Sequence, residues 1–93
     1  MIQVKKSQSR RCREFGLYMH RLIALAGEMQ IDFDDWASFC FVKVVTLKKW
    51  INGYAPSEDL LYRIAKYIAP RAGLLIDDVF QKIRSILSKW RLR

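Results

Sequence analysis

Residues 36–53, WASFCFVKVVTLKKWING, are the most informative segment of the sequence for the fold. Its apolar spacing predicts two short helices joined by a tight turn. The side chains expected to face inward are Trp36, Ala37, Val42, Leu47 and Trp50. The side chains left free to face outward on the second helix are Lys43, Val44, Val45, Lys48 and Lys49. A helix with an apolar inner face and a basic outer face is suited to lie in the major groove of DNA.

Many positions in and after this stretch match one known pattern. The helix-turn-helix of phage Cro and repressor proteins begins with Leu-Ala, three variable residues and Gly-Val-Ser. Two variable residues, Thr-Ile, two more variable residues and Trp-Glu-Asn-Gly follow, with Pro-Ser a few residues on. Here Trp36-Ala37 takes the place of Leu-Ala, and Leu47 takes the place of Ile. The direct matches are Val42, Thr46, Trp50, Asn52, Gly53, Pro56 and Ser57, followed by Leu60 and Ile64-Ala65 on the next helix. Residues 32–80 therefore resemble this family, which implies a lambda-repressor-like fold and double-stranded DNA as the partner.

Some residues depart from the family pattern. Phe41 holds the place of the turn Gly, which often has φ > 0, so either the turn has a different backbone or packing holds the ring. We expect Phe41 to fill a core pocket, since Trp36, Phe39 and Trp50 are close enough in sequence to form an aromatic cluster. Lys43 replaces the Ser that caps the second helix, so this cap is expected to be lost. The remaining departures are Ile51 in place of Glu and Phe33 in place of a polar residue that contacts phosphate.

Basic residues outnumber acidic residues, and they are clustered. The 93 residues are enough for one domain, and 17 Lys and Arg against 9 Asp and Glu give a net charge of +8. Such a balance favours a polyanionic partner, which is nucleic acid more often than an acidic membrane or protein surface. Outside the decisive stretch, the basic clusters are Lys5, Lys6, Arg10, Arg11 and Arg13 near one end and Lys82, Arg84, Lys89, Arg91 and Arg93 near the other.

The whole chain is predicted to be an all-α domain of five helices, covering residues 9–93, behind a flexible basic arm of residues 1–8. Lys5, Lys6 and Arg10 either contact the minor groove or phosphates as such an arm, or only aid solubility. The first three predicted helices cover residues 10–29, 33–40 and 44–52; the first ends near Gly27, and the second is capped within Asp32 to Asp35. The fourth runs from a Ser57 cap to Pro70. The fifth covers residues 76–90, within a C-terminal segment of residues 74–93.

The last predicted helix is long and carries an apolar stripe. Its first part is expected to pack on the first and fourth helices. Its second part either folds back onto the domain or forms a homodimer contact, because helix-turn-helix proteins usually bind DNA as symmetric dimers. A different protein partner is the third alternative. The candidate dimerisation residues in this second part are Ile83, Ile86, Leu87 and Trp90.

The resemblance to the Cro and repressor family also implies which side chains touch DNA. Val44, Val45 and Lys49 take base-reading positions, where valine methyls contact thymine methyls and the lysine donates to guanine. Lys48 lies near the groove edge and reaches either a base or a phosphate. The expected contacts to the DNA backbone are Lys43, Thr46 and Asn52.

Catalysis, metal binding and membrane insertion find no support in the sequence. The chain has one His, no Gly-rich phosphate loop, and no nucleophile accompanied by a base. Cys12 and Cys40 lack the spacing of metal ligands, and no apolar run is long enough to span a membrane. We therefore expect no enzyme activity, cofactor, metal or small-molecule ligand, and a cytoplasmic location with free thiols.

The sequence thus predicts a sequence-specific, double-stranded-DNA-binding transcriptional regulator of Cro or repressor type, of phage or mobile-element origin. It is expected to act as a homodimer on an inverted repeat. The alternative is an antitoxin-like or other protein-interaction module that uses the same fold. A third, weaker hypothesis is adhesion of the basic C-terminal helix to anionic membranes. A defined footprint on duplex DNA would select the first function, and a stable heteromeric complex would select the second.

Overall fold

The protein is seen in a computed structural model that describes residues 11–92. In this range the chain forms α-helices and short 3₁₀ turns and has no strand. The helices are α1 (Arg13–Ala26), α2 (Phe33–Phe39), α3 (Val44–Ile51), α4 (Leu61–Arg71) and α5 (Ile76–Arg91), with 3₁₀ turns at Glu28–Gln30 and Glu58–Leu60. The predicted all-α class and its five helices are confirmed.

Helix starts follow the capping residues only in part. The Asp32 carboxylate accepts hydrogen bonds from the backbone N–H groups of Asp34, at 2.9 Å, and Asp35, at 3.2 Å, so the predicted cap of α2 is confirmed. Ser57 was wrongly expected to cap α4, because a 3₁₀ turn intervenes and the Ser57 side chain makes no capping bond. Pro70 also does not end α4, which continues to Arg71. A proline in the last turn removes one helical hydrogen bond without needing to stop the helix.

The core lies where α1, α3, α4 and α5 converge, with Trp36 and Ala37 added from α2. Amphipathic helices of this length are stabilised mainly by burying their apolar faces. Helix α5 packs along α4 and also against α1, whereas α3 packs against α1 and α2. No helix within residues 11–92 is both long enough and apolar enough to cross a membrane.

The second part of α5 folds back onto the domain. Ile83 and Leu87 are fully buried within one protomer and Ile86 is 2% exposed, while Trp90 is half-buried against the same core. These side chains are therefore already covered, and their assignment as a dimerisation surface is corrected in favour of the fold-back alternative. A dimer contact in this conformation would have to use other residues.

A close backbone approach fixes the end of α3 against the start of α1. The Cys12 N–H donates to the Gly53 carbonyl oxygen at 2.8 Å. Gly53 has φ 104°, and a Cβ at this position would lie 2.9 Å from the Cys12 carbonyl oxygen. Gly16 faces the same point, where an added Cβ would lie 3.2 Å from the Gly53 backbone. Glycine at these positions lets α3 sit directly on α1, which sets the direction of its outer face.

Candidate nucleic-acid interface

Helix α3 has one buried and one exposed face. Leu47, Trp50 and Ile51 are buried against the helices that support α3. On the opposite side Lys48 and Lys49 are exposed. The sequence-based prediction of an apolar inner face and a basic outer face is therefore confirmed for Leu47, Trp50, Lys48 and Lys49, and Ile51 adds to the inner face. Lysines in the last turn also complement the negative end of the helix dipole, so part of their role is local stabilisation.

The two valines predicted to read bases differ in exposure. Val45 is 59% exposed on the outer face, whereas Val44 is half-buried and packs against the core. The expectation that Val44 is free to face outward is therefore corrected, because its side chain turns toward the groove between α2 and α3. Thr46 is half-buried as well. Of the two valines, only Val45 presents most of its surface to a ligand.

The start of α3 lacks a side-chain cap, as predicted. Lys43 occupies the N-cap position with extended backbone (φ −83°, ψ 156°), and its side chain makes no capping hydrogen bond. Its carbonyl oxygen accepts from the N–H groups of Thr46 and Leu47. The Lys43 side chain is exposed at the positive end of the helix, where an anion would be favoured. At the other end of α3, Asn52 is exposed at the C-cap.

An open groove of about 630 Å³ lies between the first turn of α2, α3 and the end of α4. We call it the acidic groove, because Asp34 and Asp35 line one wall opposite Val44 and Lys48. Both carboxylates are exposed. These carboxylates repel a polyanion on this side of α3, while Lys48 and Arg71 line the same groove and reduce that repulsion. Phe33 lies in the same groove, and its ring stacks on Trp36 with centroids 6.4 Å apart.

A second groove, of about 490 Å³, lies on the other side of α3, where that helix meets α1. We call it the basic groove, because Arg11 and Arg13 line it together with His20 and Asn52. Asn52 follows Lys48 by four residues and Lys49 by three, so it shares the exposed side of α3 with both lysines. Asn52 therefore connects the exposed lysines of α3 to the arginines at the start of α1. The sequence showed the charges of Arg11 and Arg13 but not that the fold brings them beside α3.

The remaining basic residues proposed for DNA contact cannot be placed. Lys5, Lys6 and Arg10 of the predicted arm lie outside the described residues. The described chain does begin at the basic groove, since Arg11 lines it and its guanidinium carbon lies 5.9 Å from the centre of the Tyr54 ring. The arm therefore stays a prediction.

The turn between α2 and α3 has the backbone expected of a glycine turn, but its side chain is Phe41. The Phe41 N–H donates to the Ser38 carbonyl at 3.0 Å, and the Val42 N–H donates to the Ala37 carbonyl at 3.0 Å. This pair of bonds ends a helix with the intervening residue in the left-handed region, and Phe41 has φ 60°. Because its Cβ points away from the core, the ring is 76% exposed. The expectation that Phe41 fills a core pocket is therefore wrong.

Helix α2 is held against α4 by a polar contact and an aromatic stack. The Tyr67 hydroxyl accepts from the Asp32 N–H at 3.1 Å and lies 3.3 Å from the Asp32 carbonyl oxygen, to which it donates. The Tyr67 ring stacks on Trp36 at 5.2 Å, and the Arg71 guanidinium carbon lies 3.7 Å from the centre of the Tyr67 ring. These contacts fix the position of α2 on α4, and α3 packs against α2 in turn.

The described residues offer little for covalent or metal chemistry. Burial raises the pKa of the Cys40 thiol to about 11, while the nearby Arg63 acts weakly in the opposite direction. A thiol with this pKa is protonated at neutral pH and is a poor nucleophile or metal ligand. Cys12 is also buried and free. Among the side chains that the structure describes, which exclude Glu28, no group of three or more His, Cys, Asp and Glu residues is arranged to hold a metal ion.

Comparison with protein-family models, curated proteins and solved structures finds no match to this chain. The resemblance to Cro and repressor proteins therefore rests on the residues quoted from the sequence.

Proposed function

We propose that this chain is a double-stranded-DNA-binding regulator of Cro or repressor type, with a lambda-repressor-like helix-turn-helix formed by α2 and α3. The observation that carries the proposal is the exposed basic side of α3. Lys48, Lys49 and Asn52 are exposed on it, and Asn52 lines a groove with Arg11 and Arg13 at the start of α1. Because the opposite face of α3 is buried, this helix can present those groups to a groove without unfolding.

The proposed contacts divide by their position on α3. Val45 and Lys49 are the base readers, since one offers methyl groups to thymine and the other donates to guanine. Lys43 and Asn52, at the two ends of the helix, anchor the DNA backbone, and Arg11 and Arg13 extend this anchor. Lys48 also lines the acidic groove, beside Asp34 and Asp35, which favours contact with phosphate at the groove edge over base reading.

Selection of bound sites from a pool of random duplexes tests the proposal. The expected result is one enriched motif, protected in a footprint. If two copies bind together, the motif is an inverted repeat whose half-sites lie roughly 34 Å apart. A single unrepeated half-site would show that one protomer suffices and would remove the dimer from the proposal. Folded protein that enriches no duplex would contradict DNA recognition.

Substitutions separate the two roles on the selected site. Lys49→Ala is expected to cost about 1–3 kcal/mol and to relax preference at one base pair. Lys43→Ala is expected to weaken selected and scrambled duplexes alike and to reduce the slope of log K against log salt by about one. Lys82→Ala is the matched control, because it removes the same charge from an exposed position on α5, near α1. If Lys49→Ala and Lys43→Ala behave identically, the division into reader and anchor is wrong.

A further inference from the structure

Phe41 is displayed in a way that the fold does not require. Its φ of 60° is uncommon for a residue with a bulky side chain, and glycine would satisfy the same turn. The Phe41 ring does not fill a core pocket, since three quarters of its surface is exposed. Backbone strain of this kind concentrates at sites that bind ligands or partners. The role of the ring is therefore to be sought outside the core.

A second aromatic ring and two cationic side chains lie near Phe41. The Arg63 guanidinium carbon lies 4.4 Å from the centre of the Phe41 ring, and Arg63 also donates to the carbonyl of Phe39, whose side chain is 38% exposed. Lys66 lines a cavity together with Phe39. We call this surface, formed by Phe39, Phe41, Arg63 and Lys66, the α2–α4 face. Two exposed rings beside two cations differ from the single apolar residues scattered over an ordinary exterior.

The cations of the α2–α4 face have no carboxylate partner in the described chain. Among the described side chains the ion pair formed is Arg91 with Glu58, at 3.3 Å, and it includes neither Arg63 nor Lys66. Arg63 donates one hydrogen bond, to the Phe39 carbonyl oxygen at 3.4 Å. Its remaining N–H groups are free to bind a carboxylate in the bidentate manner that guanidinium favours. Asp35 limits the cationic area, because it shares a cavity of about 440 Å³ with Phe39 and Lys66.

We propose that the α2–α4 face docks an acidic segment of a partner protein, in which carboxylates neighbour apolar side chains. The carboxylates would bind Arg63 and Lys66, and the apolar side chains would pack on Phe41 and Phe39. A second copy of this chain fits poorly, because the same cations would meet each other. A single-stranded nucleic acid fits less well than a peptide, because it binds by stacking bases on open ring faces along a row of cations. Here Arg63 already covers one face of Phe41.

This docking surface differs from the basic groove of the proposed DNA surface. The basic groove lies between α1 and α3, and none of its lining residues belongs to α4. The two proposed surfaces are neighbours at the start of α3, because Phe41 lies two residues before the backbone anchor Lys43. Peptide affinity and duplex selection are separate measurements, so either proposal can fail alone.

Selection of peptides from a random dodecapeptide display library on the full chain tests this inference. The selected pool is expected to be rich in Asp and Glu beside aromatic or aliphatic residues. Synthetic peptides from that pool are expected to bind on the order of tenfold or more weaker to Phe41→Gly and to Arg63→Ala, as for a central contact. Lys82→Ala is the control, because it removes a positive charge from an exposed position on α5, and it should bind the peptides with unchanged affinity. Phe41→Gly is a safe variant, since glycine suits the turn, and its melting temperature verifies the fold.

Three results would overturn the docking inference. The first is a library that yields no enrichment with folded protein. The second is enriched peptides that bind Phe41→Gly as tightly as the natural chain. The third is an oligothymidylate that binds the natural chain and is weakened by Phe41→Gly, because this would assign the face to single-stranded nucleic acid.

Discussion

The left-handed backbone at Phe41 predicts which of two variants, Phe41→Gly or Phe41→Ala, is the more stable. Phe41→Ala keeps a Cβ at φ 60°, whereas Phe41→Gly removes both the ring and the Cβ. A Cβ in this conformation costs about 1–2 kcal/mol. Glycine avoids this cost, but its greater freedom in the unfolded chain lowers the stability of the glycine variant by about 0.4–1 kcal/mol. Phe41→Gly is therefore expected to be more stable than Phe41→Ala by about 0.5–1 kcal/mol, the reverse of their order inside a helix.

The same structure sets the stability of Phe41→Gly against the natural chain. With the ring 76% exposed, about 50 Å² of a large aromatic surface is covered, which contributes about 1 kcal/mol. The exposed contact with Arg63 contributes about 0.5–1 kcal/mol. After relief of the backbone strain, Phe41→Gly should lose about 1 kcal/mol. Urea unfolding followed by tryptophan fluorescence and by circular dichroism measures all three proteins. An alanine variant more stable than the glycine variant would contradict the cost of a Cβ at φ 60°. A glycine variant that loses about 3 kcal/mol or more, the cost of a core cavity, would contradict the exposure of the Phe41 ring.

Three further predictions concern the core and the packing of α3. Gly53→Ala should destabilise the fold more than Gly73→Ala in urea unfolding, although both residues have positive φ. The added Cβ lies 2.9 Å from the Cys12 carbonyl oxygen at position 53, whereas it has no neighbour within 4 Å at position 73. Equal losses of stability would contradict the close packing of Gly53. Ile86→Asp should lose its helical circular dichroism, since it buries a charge inside one protomer, and a folded, monomeric variant would contradict the fold-back of α5. Because burial raises the pKa of Cys40 from 9.0 to about 11, the folded state holds that proton more tightly, so its contribution to stability is complete below pH 9 and falls between pH 9 and 11. Cys40→Ala should lack this part of the pH dependence, and identical slopes for the two proteins would contradict the assignment.

Most of the fold could be predicted because local signals and the apolar pattern agree. Asp32 caps α2 as expected, and Gly53 follows α3 at the predicted place. Where the sequence offered two readings, long-range packing decided between them. The stripe of Ile83, Ile86 and Leu87 fits either a partner or the core, and only the assembled helices show that the core accepts it.

The candidate site was predicted less completely, because its charge pattern depends on contacts distant in sequence. The basic side of α3 follows from helical spacing, whereas its extension to Arg11 and Arg13 requires the glycine contact that brings α1 alongside. The opposing carboxylates, Asp34 and Asp35, were understood only as helix-start residues. The placement of Phe41 could not be predicted, because the family-like turn geometry and the preference of a large ring for the core point in opposite directions. The backbone hydrogen bonds of the turn prevailed, and the ring is exposed.

Amide chemical-shift mapping during titration with the selected duplex measures whether the basic side of α3 binds DNA. We expect the shifts to cluster at Val45, Lys49 and Asn52 and to continue to Arg11 and Arg13, and we expect added salt to reverse them. Shifts confined to α5 or to the α2–α4 face would contradict this expectation, as would a folded chain whose amides do not respond to duplex DNA at low salt.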